Sequence, residues 1–197
     1  MIENLIDYLI RLLYEVPAIL LAIGIHEYAH GLTARSLGDD TASEMGLVNI
    51  NPFPKIDLLG FLMFIWFRFG WTKAVPIDFR NIQGPNQKLK SVMVLLSGMA
   101  GNLLLALFFI LLLQLKKPPP ESYLFNFIGY SIVINFNFVI VNLLPLLPMD
   151  AGRIIALFHP RYERYAFVCA MAIIFFAFTN FSMVIQSVTH SIFKLFI

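Results

Sequence analysis

A chain of 197 residues with 59% hydrophobic content, 13% charged residues, twenty phenylalanines and a formal net charge of +2 has a mean hydropathy of +0.78. That is too apolar for a soluble domain, which carries about 25% charge, so the chain is read as an integral membrane protein in contact with the lipid bilayer. Its Lys and Arg residues form no basic stripe from which a phosphate backbone could be gripped, and no nucleic-acid partner is expected. The single cysteine, Cys169, excludes an internal disulfide and any cysteine-rich metal site built from this chain alone. In its apolar run Cys169 reads as a small buried hydrophobe.

Residues 1–14 open on an acidic rather than a basic stretch, so no cleaved signal peptide is expected. Ile, Leu and Tyr around Asp7 and Arg11 predict an interfacial helix over 1–14 that leads into the first span. A helix crosses the hydrocarbon with about 20 apolar residues. On that criterion the spans are 14–36, 91–115, 122–146 and 165–189. Between the first two, residues 58–67 (LLGFLMFIWF) would cover only about 15 Å as a helix and are read as a re-entrant segment. The flanking sequences GLVNINPFPKID and GWTKAVPID carry the Gly, Asn and Pro of turns, with short β-capable stretches near 46–51 and 71–77. The expected fold is an all-α polytopic membrane domain over 1–197, with about four transmembrane helices, a short re-entrant segment and small β-capable stretches.

The chemistry concentrates at HEYAH, residues 26–30. In a helix the i,i+4 spacing places His26 and His30 on one face, where two imidazoles can hold a zinc ion, with Glu27 close enough to take a proton from a water. Ionisable groups directly after the apolar VPAILLAIGI are costly unless they bind one another, a metal or water. A catalytic zinc takes a third protein ligand and keeps one position open. The candidates are Asp150, which is the one carboxylate between Glu121 and Glu163, and then Asp57 and Glu44 in the turn-rich region. His159 and His190 lack a comparable arrangement and read as interfacial. Asn102, Asn135 and Asn137 lie within spans, where amides bond across helix interfaces, and Gly98 and Gly101 suit close helix approach.

HEYAHG at 26–31 together with NLLPLLPMD at 142–150 resembles the site-2 protease family, polytopic zinc metalloproteases that cleave transmembrane or membrane-proximal segments of other proteins. GWTKAVPI at 70–77 and SGMAGN at 97–102 are similar to two further motifs of its compact branch. No insertion between the ligand motifs is long enough to house a PDZ domain. The resemblance implies that His26, His30 and Asp150 bind Zn2+, that Glu27 is the general base, and that Asn142 with Pro145 and Pro148 receives the substrate. It also implies single-span or membrane-associated protein substrates and a prokaryotic cell membrane as location. Ala151, Met99 and Ala74 depart from the family pattern, where glycine, proline and proline are usual. They bear on the bend after Asp150 and on packing, and none removes a ligand.

For one zinc to be shared, the first and third spans must run in the same direction, which requires that 58–67 does not cross. That arrangement gathers Arg35, Lys55, Arg68, Lys73, Arg80, Lys88, Lys90, Arg153, Arg161 and Arg164 on one side, the cytosolic one by the positive-inside rule. The active site is then nearer the cytosolic face. An extended substrate is expected to pair with a strand near 46–51 or 71–77. Two other functions fit the composition: a zinc or other metal-ion transporter, which needs a polar path to both surfaces, and an inactive metal-stabilised scaffold, which gives Glu27 no task. Oligomeric state is not legible.

Overall fold

The computed structural model of the chain describes residues 2–67, 70–120 and 122–177, together with Met183, Ser187 and Ser191. Helix α1 runs unbroken over Ile2–Ser36, 35 residues or about 52 Å at 1.5 Å per residue. The helix expected over 1–14 as a lead into the first span is continuous with that span as the first part of α1. Nothing before Pro17 breaks the helix, and an Arg11–Glu15 ion pair of 3.1 Å bridges the expected junction. After the short α2 (Thr41–Glu44) comes α3 (Leu58–Phe67), ten apolar residues. Helix α4 (Gln87–Lys116) stops where Pro118, Pro119 and Pro120 withhold backbone donors. Helix α5 (Tyr123–Asn142) starts on Ser122, whose hydroxyl accepts the Phe125 N–H at 3.1 Å.

Helix α5 ends four residues short of the expected boundary at 146. Pro145 and Pro148 prevent continuation, and a turn intervenes before the chain restarts as α6 (Asp150–Phe158). Asp150 is thus the first residue of a new helix rather than the tail of a span. A 3-10 stretch, Pro160–Tyr165, leads to α7 (Ala166–Ala177).

Two expectations are corrected. Among the described residues three helices, and not four, are long and apolar enough to cross a membrane: Leu5–Ser36 within α1, α4 and α5. The expected span 165–189 is helical over its first part as α7, and most residues after Ala177 lie outside the described ones. The second correction is that the described residues contain no strand. Residues 46–51 spend their hydrogen bonds locally: Asn49 Nδ2 donates to the Gly46 carbonyl at 2.6 Å and Asn49 Oδ1 accepts the Asn51 N–H at 2.9 Å. Such side-chain turns compete with a ladder. Residues 71–77 likewise send the Lys73 N–H to the Lys55 carbonyl and the Val75 N–H to Glu27.

Helices α1, α4 and α5 pack pairwise as the core of the bundle. Between α4 and α5 the core is Ala106, Phe109, Ile110 and Leu113 against Ile128, Ile132 and Phe136. Ile19, Ala22 and Ile23 of α1 meet Phe64 of α3 and Ile134 and Phe138 of α5. The connection between α2 and α3 lies on α1 at Gly24, where a Cβ would stand 2.3 Å from the Ile50 carbonyl oxygen.

Beyond the end of α1, buried Asp39 ties two turns together. Its oxygens accept the Thr41 hydroxyl, the Asn81 amide at 3.0 Å and the Asp78 N–H at 2.9 Å. Burial alone would raise its pKa, but these donors outweigh it and hold the carboxyl below its ordinary 3.8. A depressed carboxyl contributes stability that is present above pH 3.8 and lost as pH falls through the lower folded value. Asp39→Ala strands several partners and should cost about 1–3 kcal/mol, with the acid limb of the unfolding midpoint flattened. Thermal unfolding in detergent across pH checks this; an unchanged midpoint at neutral pH would refute the role.

Candidate metal centre

Three side chains from the two ends of the bundle sequence meet in its interior. His26 and His30 occupy successive turns of α1 and Asp150 opens α6, and they are 2%, 1% and 3% exposed. The two Nε2 atoms are 3.1 Å apart, and each is 3.2 Å from Asp150 Oδ2. Ligand atoms about 2.0–2.1 Å from a tetrahedral zinc are roughly 3.3 Å from one another, so the triangle is of the size one ion requires. Asp150 Oδ2 accepts no hydrogen bond, a buried carboxylate oxygen that a cation would satisfy. These residues fit a metal.

The tautomers fit it too. His26 Nδ1 faces Asn102 Oδ1 at 2.6 Å and His30 Nδ1 faces the Val94 carbonyl at 2.7 Å. Both partners are acceptors, so each imidazole carries its proton on Nδ1 and turns the Nε2 lone pair toward Asp150. The Asn102 orientation follows from its other end, where Nδ2 donates to the Ala22 carbonyl at 3.1 Å and to Asn135 Oδ1 at 2.8 Å. Asn135 is fixed in turn by donation to the Ser131 carbonyl at 2.7 Å. A line of amides across α4 and α5 thus sets the proton on a ligand of α1. Helix α4 approaches closely enough because residue 98 is glycine: a Cβ there would stand 2.4 Å from His30 Nε2 and 2.7 Å from His26 Cε1.

Glu27, 1% exposed, lies beside this triangle. Thr72 Oγ1 donates to one of its oxygens at 2.5 Å and the Val75 N–H to the other at 2.8 Å. Lys55, equally buried, donates its ammonium to the Asn49 carbonyl. Burial lowers the Lys55 pKa from its ordinary value, and the Glu27 carboxylate works against that shift. A cavity of about 30 Å³, bounded by His26, Glu27, Thr72, Asn142, Asp150 and Arg153, opens onto the cluster. It holds about two waters.

Among curated proteins, the chain is similar to "Putative zinc metalloprotease YwhC" of Bacillus subtilis (strain 168), at 32% identity over 149 residues, 72% of this chain and 67% of that protein. The chain belongs to this metalloprotease family. No family model matches it, and no solved structure does. Three long apolar helices among the described residues make the chain a membrane-associated protein, and His26, His30 and Asp150 form a group able to hold a metal ion.

Of the alternatives for a third ligand, Asp57 instead accepts the Gly60 N–H at 2.9 Å at the start of α3, Glu44 is exposed on α2, and His159 is exposed after α6. His190 lies outside the described residues. Asn142 and Pro148 line the cavity, while Pro145 does not; its carbonyl accepts the Tyr162 hydroxyl. Asn142 Oδ1 accepts the Asp150 N–H at 3.3 Å and so joins the end of α5 to the start of α6. Of the departures from the family pattern, Ala74 lines the cavity and Met99 is buried in α4. Sequence reasoning assigned no site role to Thr72 or Arg153, and read Asn102 and Asn135 first as amides bonding across a helix interface. Asn102 and Asn135 carried a signal, since an amide inside a span is expensive without a specific partner.

Two variants test the metal site without reference to catalysis. Gly98→Ala should expel the imidazoles from their positions and leave the purified protein with substoichiometric metal at unchanged helix content. Asn102→Leu should weaken zinc binding about 10–100-fold in competition with a chelator. Wild-type affinity in both would remove α4 from the centre.

Proposed function

We propose that the chain is a zinc-dependent intramembrane endopeptidase of the site-2 protease type, a single membrane metalloprotease domain over 1–197 that hydrolyses peptide bonds in or near transmembrane segments of other proteins. The observation that carries this reading is the placement of Glu27: a buried carboxylate adjoining the His26, His30 and Asp150 triangle and not part of it. A scaffold has no use for that extra carboxylate beside the ligands.

His26, His30 and Asp150 would hold the zinc, which when bound supplies Lewis acidity to a peptide carbonyl and to a water. Glu27 takes the proton of the attacking water and returns it to the leaving amine. Its oxygens already accept from Thr72 and Val75, and a carboxylate oxygen has a second lone pair, so the carboxylate is oriented yet still able to accept. Apolar walls keep bulk water away from the cluster, which strengthens each of these interactions. Asn142 and Pro148 form the side from which substrate is received, with Pro145 behind them shaping the turn. The longest bond there, Asp150 N–H to Asn142, is the one that a substrate amide would replace. A transmembrane helix satisfies its own backbone, so the segment to be cut must first unwind.

The centre is read as nearer the cytosolic face, with α1 running inward. A reporter fused at residue 118 should then be found outside and one at residue 83 in the cytosol; the reverse would overturn the orientation. For the reaction, purified protein reconstituted with zinc should cleave a single-span substrate, and chelation should abolish cleavage reversibly. Glu27→Gln should keep its zinc and lose at least about 100-fold in rate. Equal cleavage by Glu27→Gln would reject Glu27 as the base, and Asp150→Ala with normal zinc content would reject the ligand set.

A further inference from the structure

The small cavity at the ligand triangle has a larger neighbour. A groove of about 440 Å³ is bounded by Leu147 in the turn before α6, Phe79, Ala156 and Leu157, with Glu163 at its margin, and Arg153 borders both spaces. The groove is of ligand-binding size, whereas the first cavity holds about two waters and no peptide. Arg153, Ala156 and Leu157 follow i, i+3, i+4 spacing on α6, and Asp150 precedes Arg153 by three, so one face of α6 runs from the groove to the ligand triangle.

We propose that this groove receives the flank of the substrate on one side of the scissile bond, as an extended apolar segment carrying a carboxylate side chain that pairs with Arg153. This rests on the protease reading. A peptide whose carbonyl reaches the triangle must lodge its next residues somewhere, and the groove adjoins the triangle at Arg153. From Asp150 to Leu157 the helix rises about 10 Å, the length of roughly three extended residues, and Arg153 stands roughly one or two residues from the start. The acidic side chain is therefore placed one or two residues from the cleaved bond.

Arg153 suits that task. Its Nη1 is 3.6 Å from Asp150 Oδ1, too long for a hydrogen bond, and its side chain is 23% exposed. The guanidinium thus keeps donors to offer as a planar fork to an incoming carboxylate. Glu163 is exposed while Arg153 is half-buried, so the groove grades from positive near the triangle to negative at its mouth. Juxtamembrane flanks on the cytosolic side are rich in Lys and Arg, and such residues further along the segment meet Glu163.

The test uses the full chain, zinc-loaded in detergent, with a designed single-span reporter whose flank carries Asp, Ala or Lys at the first or second residue from the cut. Wild type should favour Asp over Lys about tenfold in kcat/KM, and Arg153→Glu, with zinc content verified, should invert that order. Ala156→Trp should raise KM with little change in kcat, since it fills the groove without touching the triangle. A turnover-free measurement runs in Glu27→Gln: Leu157→Cys should crosslink to a cysteine in the reporter flank well above the level at lipid-facing Leu104→Cys. Equal capture at 157 and 104, or a charge preference unmoved by Arg153→Glu, overturns the groove. Capture at 157 with no cleavage by wild type would instead overturn the protease reading and leave the groove standing.

Discussion

Everything in this bundle is arranged around polar side chains held away from bulk water. His26, Glu27, His30 and Asp150 are buried beside an apolar core of α1, α3 and α5, and each polar atom left without a partner there costs about 1–3 kcal/mol. That penalty dictates the neighbours. The imidazoles turn their Nδ1 protons onto Asn102 and the Val94 carbonyl, the glutamate takes donors from Thr72 and Val75, and the remaining lone pairs converge on one point. Helix packing, tautomer and ligand direction are one problem with one solution.

The packing of α4 against α1 follows from the same constraint. Gly98 allows contact at the imidazoles, and one turn further along Asn102 reaches across to both α1 and α5. A larger residue at 98, or an apolar one at 102, would keep much of the hydrophobic interface and lose the site. The centre is more demanding than the fold that carries it, which is why metal affinity is a sharper readout than stability for residues of α4.

Much of this was legible in the sequence. The apolar runs marked α1, α4 and α5, because uncharged stretches of spanning length have few alternatives, and HEYAH put two ligands and a carboxylate on one helical face. Residues 58–67 read as a short apolar segment, and they form the ten-residue α3. The β-capable stretches were misread since their hydrogen bonds go to side chains and to distant carbonyls: Asn49 and Asn51 close turns on themselves, and Val75 serves Glu27. Local propensity carries no trace of a partner 48 positions away in sequence. The end of α5 was misplaced for a related reason, as the apolar Leu143, Leu144, Leu146 and Leu147 extend the hydrophobic run beyond the point where Pro145 stops the helix. Arg153 escaped notice because a lone arginine after a span looks like an ordinary interfacial charge until the cavities on either side of it are known.

The position of Asp150 has a consequence for the chain as a polymer. Asp150 belongs to a short helix after a proline-rich turn, while both histidines belong to the first helix, so an ion held by all three ties the two ends of the bundle into a closed loop. Closing a loop of that length removes more entropy from the unfolded chain than a short clip would. Removal of such an ion would strip away a cross-link, and the end of the molecule it would free is the one carrying α6, α7 and the groove.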